Sequence, residues 1–266
     1  MLSDDDFRLL LYHLDRPWAG FRKVRKGVKK KVRRHMAALE CSTIQDYLQN
    51  IVRDPEARAE CERRLAVTIS RFFRDRLLWN ALSERILPSL ARRFPDGLNV
   101  WSAGCAGGEE PYTLAMVWKT LSAGLASSPA MQIHATDADA QCLRRARGGL
   151  YPNSSLREVP KVFIDRWFRQ VHGTRQWQID KRLQAAVCLK SHDLLCEPLP
   201  GIFHLILLRN NLLTYYQGNK MENAFAGIAA ALADKGILIV GSHEHPPPSN
   251  RHLRRDASCR WIYHAF

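Results

Sequence analysis

Long apolar runs are missing from this sequence of 266 residues. No stretch reaches the roughly 18 uninterrupted apolar residues of a transmembrane helix. The first ten residues, MLSDDDFRLL, are acidic and lack the basic-then-apolar pattern of a signal peptide. The seven cysteines are an odd number, and none forms a CxxC motif. We therefore expect a cytoplasmic protein with reduced cysteines and one or two domains.

The formal net charge of the chain is +14, and residues 21–36, near its start, contain no acidic residue. Apolar residues recur there at steps of three and four, which predicts an amphipathic basic helix over residues 21–36. Such a helix attracts nucleic acid, an anionic membrane or an acidic protein, and a solvated helix face explains it equally well. Its nine cations are Arg22, Lys23, Arg25, Lys26, Lys29, Lys30, Lys31, Arg33 and Arg34.

Two different patterns divide the chain near residue 90. Residues 1–90 predict a small helical domain, with helices at 43–52, capped by Ser42 or Thr43, and at 55–69, with Pro55 in the first turn. Residues 91–266 alternate between strand and helix patterns, which predicts an α/β domain with a parallel sheet. The predicted strands are 98–104, 131–137, 203–210 and 236–243, and the predicted helices are 110–125, 140–147 and 220–233. Short strand-like pieces, QWQI and AAVCLKS, predict a small β insertion at about 172–191.

The stretch WSAGCAGGEEP suggests a ligand site at the end of the first strand. In an open α/β sheet, ligands bind beyond the carboxyl ends of the strands, and small residues let a ligand approach the backbone closely. Glu109 and Glu110 place negative charge there, which disfavours a phosphate and favours a cationic ligand. Asp137 ends the second strand, where an acid commonly binds ribose hydroxyls. A ribose with a cationic tail and no phosphate fits S-adenosylmethionine.

Five segments together resemble the CheR-type chemoreceptor glutamate methyltransferases. They are WSAGCAGGEEPYTLAM (101–116), TISRFFRD (68–75), ATDADAQCLRRARGGLY (135–151), LLRNNLLTYY (207–216) and GSHEHPP (241–247), which follow the order of the family's motifs. The resemblance implies a Rossmann-like class I methyltransferase domain, preceded by a small all-α domain and interrupted by a small β-subdomain. It also implies S-adenosylmethionine as the methyl donor, S-adenosylhomocysteine as the product and a glutamate carboxylate as the acceptor.

The resemblance also assigns roles to residues of this chain. It places Arg74 near the acceptor and Tyr215 on the acceptor's other side, with a one-residue shift that leaves Thr214 as an alternative to Tyr215. The residues that it implies for cofactor binding are Thr68, Ser70, Arg74, Gly104, Glu109, Glu110, Asp137, Asp193, Leu194, Arg209 and Asn210. Thr68 and Asp193 depart from the asparagines of the family, and an ionised Asp193 cannot donate a hydrogen bond.

The chemistry expected of this site is a methyl transfer that needs no strong base. A carboxylate is already ionised and nucleophilic at neutral pH, so the enzyme mainly positions and desolvates the acceptor. Arg74 suits this task because it can bind a carboxylate by paired hydrogen bonds, although an ion pair with Asp75 would explain it too. A hydroxyl or amine acceptor would instead require a base, for which His192 and His243 are candidates. His243 and His245 lack a third metal ligand at a recognised spacing, so no metal is expected.

The resemblance favours an acidic helical protein as the partner of the basic helix. The family's substrate is a glutamate-rich helical bundle in the cytoplasmic part of the chemoreceptor, and charge would guide it to residues 21–36. Nucleic acid is the less favoured partner, no membrane insertion or receptor-tail binding is expected, and the chain is expected to be a monomer. Two alternatives remain: a related methyltransferase with another acceptor, and a non-catalytic module that binds the cofactor or its product.

Overall fold

The computed structural model describes residues 2–124, 128–196 and 200–266, in two compact units. Unit 1 contains Met1–Val67 and Asn210–Glu222, and unit 2 contains Thr68–Arg209 and Asn223–Phe266. The predicted boundary at residue 90 therefore falls inside unit 2, and a segment distant in sequence joins the helical unit. No helix in the described ranges is long and apolar enough to cross a membrane.

The described residues form helices and strands in the order expected of an α/β chain with a helical start. The helices are α1 (Asp4–His13), α2 (Trp18–Phe21), α3 (Arg25–Ala38), α4 (Ile44–Arg53), α5 (Pro55–Leu65), α6 (Arg76–Ala81), α7 (Leu87–Arg93), α8 (Glu109–Ser122), α9 (Ala140–Gly148), α10 (Lys161–Trp167), α11 (Lys181–Gln184), α12 (Leu212–Tyr215) and α13 (Gly218–Ala230). A π-helical turn (Leu82–Ile86) joins α6 to α7, and a 3₁₀ turn (Asn153–Leu156) precedes α10. The strands are β1 (Leu98–Ala103), β2 (Met131–Asp137), β3 (Leu150–Pro152), β4 (Phe168–Gln170), β5 (Gln176–Ile179), β6 (Val187–Ser191), β7 (Phe203–Leu208), β8 (Leu232–Val240), β9 (Leu253–Arg255) and β10 (Ile262–Ala265).

Unit 1 is a helical unit built on the predicted amphipathic stripe. Val28, Val32 and Met36 of α3 are buried in its core, which confirms the apolar face of the basic helix. Thr43, rather than Ser42, caps α4, because its hydroxyl accepts a hydrogen bond from the backbone N–H of Asp46. The helix predicted to reach residue 69 ends at Leu65, and the three β-branched residues after Ala66 favour an extended backbone.

The main sheet of unit 2 has the strand order β6-β2-β1-β7-β8-β10-β9. The first five strands run parallel to one another, and β10 and β9 are antiparallel additions at one edge. The chain moves from β1 outward through β2 to β6 and then returns to the other side of β1 as β7. The predicted α/β fold is thus confirmed, with a topological switch point between β1 and β7.

The small β insertion lies earlier in the chain than predicted. Strands β3, β5 and β4 form a separate antiparallel sheet between Leu150 and Ile179. The predicted piece QWQI is β5 of this sheet, but AAVCLKS contributes β6, which pairs in parallel with β2 in the main sheet. The assignment of AAVCLKS to the insertion is wrong because β6 is an edge strand. Only its first residue, Val187, is buried, so it lacks the continuous apolar run of a central parallel strand.

Several element ends differ from the expected ones by a few residues. Helix α8 begins at Glu109 and ends at Ser122, and Leu125, the last residue of the predicted helix, lies outside the described part of the chain. The predicted helix 220–233 ends at Ala230, because β8 already begins at Leu232, opposite Phe203. Strand β2 has the predicted bounds.

Candidate functional site

The candidate site of unit 2 lies at the carboxyl ends of β1 and β7. From these neighbouring parallel strands, the chain continues in opposite directions across the sheet, from β1 to β2 and from β7 to β8. This divergence opens the crevice where ligands bind in such folds. The glycine-rich turn follows β1, Asp137 ends β2, and Arg209 comes directly after β7. The fold therefore brings together three of the segments in which the sequence predicts cofactor-binding residues.

The glycine-rich turn has a backbone that few side chains tolerate. Gly104 has a φ of 77° and Gly108 a φ of 87°, both in the left-handed region that favours glycine. A Cβ atom on Gly108 would lie 2.8 Å from the ring of Tyr112. The backbone N–H groups of Gly104 and Cys105 both donate to the carbonyl of Thr136, at 2.9 and 2.8 Å. The small residues thus also serve close packing between the turn, α8 and β2.

Asp137 closes the turn from the end of β2. One carboxylate oxygen accepts from the backbone N–H of Ala106 at 2.7 Å, and the other accepts from that of Asp139 at 2.8 Å. Burial raises the pKa of this carboxyl group above its usual value, although both N–H donors act in the opposite direction. Each carboxylate oxygen has further acceptor capacity, so Asp137 can still accept hydrogen bonds from ribose hydroxyls.

Glu109 and Glu110 occupy different environments at the start of α8. The Glu109 side chain is 1% exposed, and its Oε1 lies 3.3 Å from Nη2 of Arg145. The Glu110 side chain is 13% exposed, and its two oxygens accept from the hydroxyl of Ser102 at 2.8 Å and from Nη1 of Arg209 at 2.9 Å. Burial raises the pKa of both carboxyl groups, against the opposing effects of Arg145 on Glu109 and of Arg209 on Glu110.

Arg209 is a buried cation that bonds three groups from two segments. Its side chain is 3% exposed. Besides Glu110, its guanidinium donates through Nη2 to Oδ2 of Asp75 and, at 3.2 Å, to the carbonyl of Arg74. The predicted cofactor residues Arg209 and Glu110 are therefore in direct contact, and the segment 68–75 meets them through its last two residues.

The segment TISRFFRD is held against α8 by its backbone. The N–H of Phe73 donates to the hydroxyl of Thr113 at 3.2 Å, and the ring N–H of Trp79 donates to the carbonyl of Arg74 at 2.9 Å. Phe73 and Asp75 have φ values of 54° and 66°, which are rare for residues other than glycine. These contacts fix the backbone on both sides of Arg74, whose side chain is half-buried.

Two other predicted residues belong to this part of unit 2. Thr68 and Ser70 are half-buried in the same extended segment. A hydrogen bond from Thr68 lowers the pKa of the Cys142 thiol, but burial outweighs it and raises that pKa to about 12.

Asp193 and Leu194 follow β6, whose last residue, Ser191, is opposite Asp137 in the sheet. The carboxylate of Asp193 accepts from the backbone N–H of Leu195 at 2.9 Å. The fold thus places Asp193 and Leu194 beyond the carboxyl end of the strand next to β2. Their predicted contact with adenine stays a prediction.

Asn210, Thr214 and Tyr215 belong to unit 1. The ring of Tyr215 packs against that of Phe21, with 5.0 Å between centroids, and its carbonyl accepts from Nη1 of Arg16 at 3.2 Å. A Cβ atom on Gly20 would lie 2.1 Å from the carbonyl oxygen of Thr214, so α2 and α12 are in close contact. The packing of Tyr215 accounts for an aromatic residue at this position, and its predicted role at the acceptor stays a prediction.

The segment His243-Glu244-His245 has a structural explanation. Glu244 is 4% exposed, and its carboxylate accepts from the backbone N–H of Gly241 at 2.6 Å, which stabilises the turn after β8. His243 and His245 are exposed. Among the described residues, no group of three or more His, Cys, Asp or Glu side chains could hold a metal ion.

The sequence predicts no role in the site for Ser102, Arg145 or Asp75. Ser102 lies inside the quoted WSAG stretch, and Asp75 ends the quoted TISRFFRD segment, so the motifs contained both. Asp75 was weighed only as an ion-pair partner of Arg74, whereas its carboxylate pairs with Arg209. The pairs Arg145–Glu109 and Asp75–Arg209 join residues more than 30 positions apart, and no local pattern in one sequence reveals them.

The donor set of this site fits S-adenosylmethionine. Carboxylates at the ends of β1 and β2 suit a cationic tail and ribose hydroxyls, and the small residues of the turn permit close approach to the backbone. The buried guanidinium of Arg209, which lies beside them, is already paired with two carboxylates. The residues that would hold the cofactor in unit 2 are Gly104, Glu110 and Asp137, with Asp193 and Leu194 beyond β6.

Comparisons with known proteins show what this chain is similar to. The family model for the CheR methyltransferase, SAM binding domain, matches residues 68–262. A probable chemotaxis protein methyltransferase of Rhizobium etli is 29% identical over 236 residues, which cover 85% of this chain and 86% of that protein. The chemotaxis protein methyltransferase of Listeria monocytogenes is 29% identical over 217 residues, which cover 82% of this chain and 80% of that protein. An uncharacterised 104.1 kDa protein of Rhodobacter capsulatus is 28% identical over 219 residues, which cover 82% of this chain but only 23% of that protein.

Proposed function

Because this chain belongs to the CheR methyltransferase family, we propose that it methylates glutamate side chains of chemoreceptor cytoplasmic domains. The family membership predicted from the motifs is confirmed, and with it a methyltransferase that uses S-adenosylmethionine. The acceptor is the proposed part. The observation that supports it is the family match over residues 68–262, which includes Arg74 and the acids at the ends of β1 and β2.

S-adenosylmethionine, when bound, supplies a methyl group on a sulfonium, which an acceptor carboxylate displaces without a strong base. Arg74 would bind the acceptor carboxylate by paired hydrogen bonds, and Tyr215 would orient it. Glu110 and Asp137 would hold the cationic and ribose ends of the donor. Of the residues that the resemblance implies for cofactor binding, the proposed direct contacts are those of Thr68, Ser70, Gly104, Glu110, Asp137, Asp193, Leu194, Arg209 and Asn210. Arg74 would act on the acceptor instead, and Glu109, which pairs with Arg145, would fix the turn.

The charge of the N-terminal helices supports an acidic helical partner. Arg25 and Lys29 pair with Asp4 at 3.1 and 2.8 Å, and Lys31 donates to the carbonyl of Ala66 at 2.6 Å. The six other cations of the segment are exposed and form a basic surface: Arg22, Lys23, Lys26, Lys30, Arg33 and Arg34. Such a surface accelerates the approach of a glutamate-rich helical bundle more than it fixes its final affinity.

The location and assembly of the protein complete the proposal. A chemoreceptor presents its methylated glutamates on the cytoplasmic side, so we propose that this enzyme works in the cytoplasm. We propose that it acts as a monomer, without metal and without insertion into the membrane.

The test is transfer of a labelled methyl group from S-adenosylmethionine to purified receptor cytoplasmic fragments. Label that mild base releases as methanol identifies a glutamyl methyl ester. We expect Arg74→Ala to abolish transfer while the affinity for S-adenosylhomocysteine stays within about threefold, because Arg74 acts on the acceptor. Fragments whose methylatable glutamates are replaced by alanine are the matched control and should take up no label.

Other outcomes would favour the alternatives. Cofactor binding with no label on any fragment would contradict the proposed acceptor and direct the search to small molecules or other proteins. Binding of cofactor without turnover on any acceptor would indicate a non-catalytic module. Affinity for any DNA duplex that falls steeply with salt would indicate a nucleic-acid partner for the basic surface.

A further inference from the structure

Arg209 connects the two halves of the proposed reaction site within unit 2. Its Nη1 donates to Glu110, which is proposed to hold the cationic end of the donor, at 2.9 Å. Its Nη2 donates to the carbonyl of Arg74, the residue proposed to hold the acceptor, at 3.2 Å. The same Nη2 also donates to Oδ2 of Asp75. Asp75 is therefore the second carboxylate of an ion triad around the buried guanidinium of Arg209.

Asp75 occupies this position at a conformational cost. Its φ of 66° lies in the left-handed region, which is unfavourable for residues with a side chain, although aspartate adopts it more readily than most. It precedes the first turn of α6, but its side chain makes no capping hydrogen bond to that helix. The Asp75 carboxylate is thus directed at Arg209 rather than at its own helix. Backbone strain held by a side-chain contact is frequent at functional sites.

The burial of Arg209 explains why a second carboxylate matters. A guanidinium that is 3% exposed needs its charge and its donors satisfied by the protein. If Glu110 were its only carboxylate partner, the guanidinium could move together with the Glu110 side chain. With Asp75 on the other nitrogen, it is fixed between two segments, and the carbonyl of Arg74 is fixed with it.

We infer that Asp75 is a positioning residue, which through Arg209 holds Glu110 and the backbone of Arg74 in one arrangement. The link to Arg74 and to methyl transfer rests on the proposed function. The link to Glu110 concerns only the cofactor side and can be tested without an acceptor.

The test is a double-mutant cycle on the affinity for S-adenosylhomocysteine, measured by calorimetry on the full chain. Asp75→Asn removes the charge and keeps a residue that tolerates the left-handed backbone. We expect it to weaken binding about fivefold in the wild-type background and less than twofold in Glu110→Gln, because both substitutions release the same guanidinium. Asp180→Asn is the matched control, since it breaks another Asp–Arg pair of unit 2, and it should leave the affinity unchanged.

A second variant separates the carboxylate from the backbone. Asp75→Gly removes the side chain and favours the observed φ, so it should weaken binding as Asp75→Asn does. Unchanged affinity in both variants, or additive effects of Asp75→Asn and Glu110→Gln, would overturn the inference. Where receptor fragments are methylated, Asp75→Asn should also lower kcat at least tenfold. A wild-type protein that methylates no receptor would refute the proposed acceptor while the binding cycle still decides the role of Asp75.

Discussion

Two adjacent glutamates at the start of α8 show how burial separates residues that look alike in sequence. The Glu109 carboxylate is enclosed next to Arg145, whereas Glu110 retains some exposure and is held between Ser102 and Arg209. The motif predicted both as cofactor contacts. The geometry favours Glu110 for the cationic end of S-adenosylmethionine and favours Glu109 for fixing the turn.

We expect Glu110→Gln to weaken binding of S-adenosylmethionine at least tenfold. A hydrogen bond to a charged group is worth about 1.5–3 kcal/mol, and the amide removes the negative charge that faces the cationic ligand. Calorimetric titration of S-adenosylmethionine into Glu110→Gln, Glu109→Gln and the wild-type protein measures the affinities. Glu109→Gln has the same chemical change one residue earlier and should keep the affinity within about threefold. Equal losses in the two variants would contradict this assignment.

The carboxyl group of Asp137 predicts a pH dependence of cofactor binding. Burial raises its pKa above the usual 3.8, and only the ionised form accepts hydrogen bonds from both ribose hydroxyls. The affinity should therefore be highest at pH values well above the raised pKa and should fall as the pH drops through it. This fall should occur at a higher pH than it would for an aspartate with the usual pKa. Titration of S-adenosylhomocysteine binding between pH 4 and 8, about the range where such a group responds, measures this.

Asp137→Asn is the control for that titration. It removes the ionisable group at nearly the same size, so its weaker binding should no longer depend on this pKa. A pH dependence that persists unchanged in Asp137→Asn would assign the titration to another group, such as Glu110, whose pKa burial also raises.

At the scale of elements, apolar periodicity predicted most helices and strands. The prediction failed where a strand buries few of its residues. Strand β2 was predicted to the residue because Pro129 precedes it closely and the acids Asp137 and Asp139 mark its end. Strand β6 was assigned to the wrong sheet, since an edge strand with one buried residue carries no signal for its partner. The membership of α12 in unit 1 depends on contacts with α2 almost 200 residues earlier, which no local pattern encodes.

The sequence predicted the residues of the candidate site that lie in motifs, but not the long-range contacts between them. Motifs place Glu110, Asp137 and Arg209 beyond the carboxyl ends of β1, β2 and β7, where such folds bind ligands. Arg74 follows no strand and meets this group through its carbonyl, which accepts from Arg209. The pairing of Asp75 with Arg209 depends on a left-handed backbone at an aspartate, which sequence does not indicate.

The exposed cations of α3 predict how the proposed receptor substrate approaches. Replacing Lys26, Lys30 and Arg33 together by glutamine should lower kcat/KM for receptor fragments about tenfold at low salt, with kcat little changed. The difference from wild type should shrink as salt is added, because exposed charges are screened. Steady-state methylation at several salt concentrations measures both effects.

The matched control removes three exposed cations from another element. Arg251, Arg254 and Arg255 lie on or beside β9 and are exposed. Their replacement by glutamine gives the same change in net charge and should leave kcat/KM within about twofold. Equal losses in the two triple variants would assign the effect to net charge rather than to the basic surface.

At the scale of the whole molecule, one buried carboxylate connects the beginning of unit 2 with its end. Asp256 accepts from both terminal nitrogens of Arg85, at 2.8 and 3.1 Å, across 171 positions of the sequence. It also accepts from the hydroxyl of Ser258 at 2.8 Å and lies 2.9 Å from Nε2 of His264 on β10. The side chain of Asp256 is 8% exposed and that of Arg85 is 44% exposed, so the protein shields the carboxylate of this pair but leaves the guanidinium partly in solvent.

The pairing of Asp256 predicts how the stability of unit 2 responds to acid. Hydrogen bonds from Arg85 hold the pKa of this carboxyl group well below the usual 3.8. Because the folded-state pKa is lowered, the stabilisation is complete above about pH 4 and is lost as the pH falls towards the folded-state value. Asp256→Asn should lower the free energy of unfolding by about 2 kcal/mol at pH 7, and by progressively less below pH 4. Urea unfolding followed by tryptophan fluorescence at each pH measures the difference.

The exposed pair of Lys161 and Asp165 is the control that makes this acid test specific. Its side chains are 86% and 59% exposed, so the pair contributes little to folding. Asp165→Asn should change the free energy of unfolding by less than about 0.5 kcal/mol at every pH. If Asp256→Asn also changed the free energy of unfolding by so little, the contact between residues 85 and 256 would not stabilise unit 2. A pH-dependent loss confined to Asp256→Asn would show that one ion pair secures the terminal β-hairpin to the helices before β1.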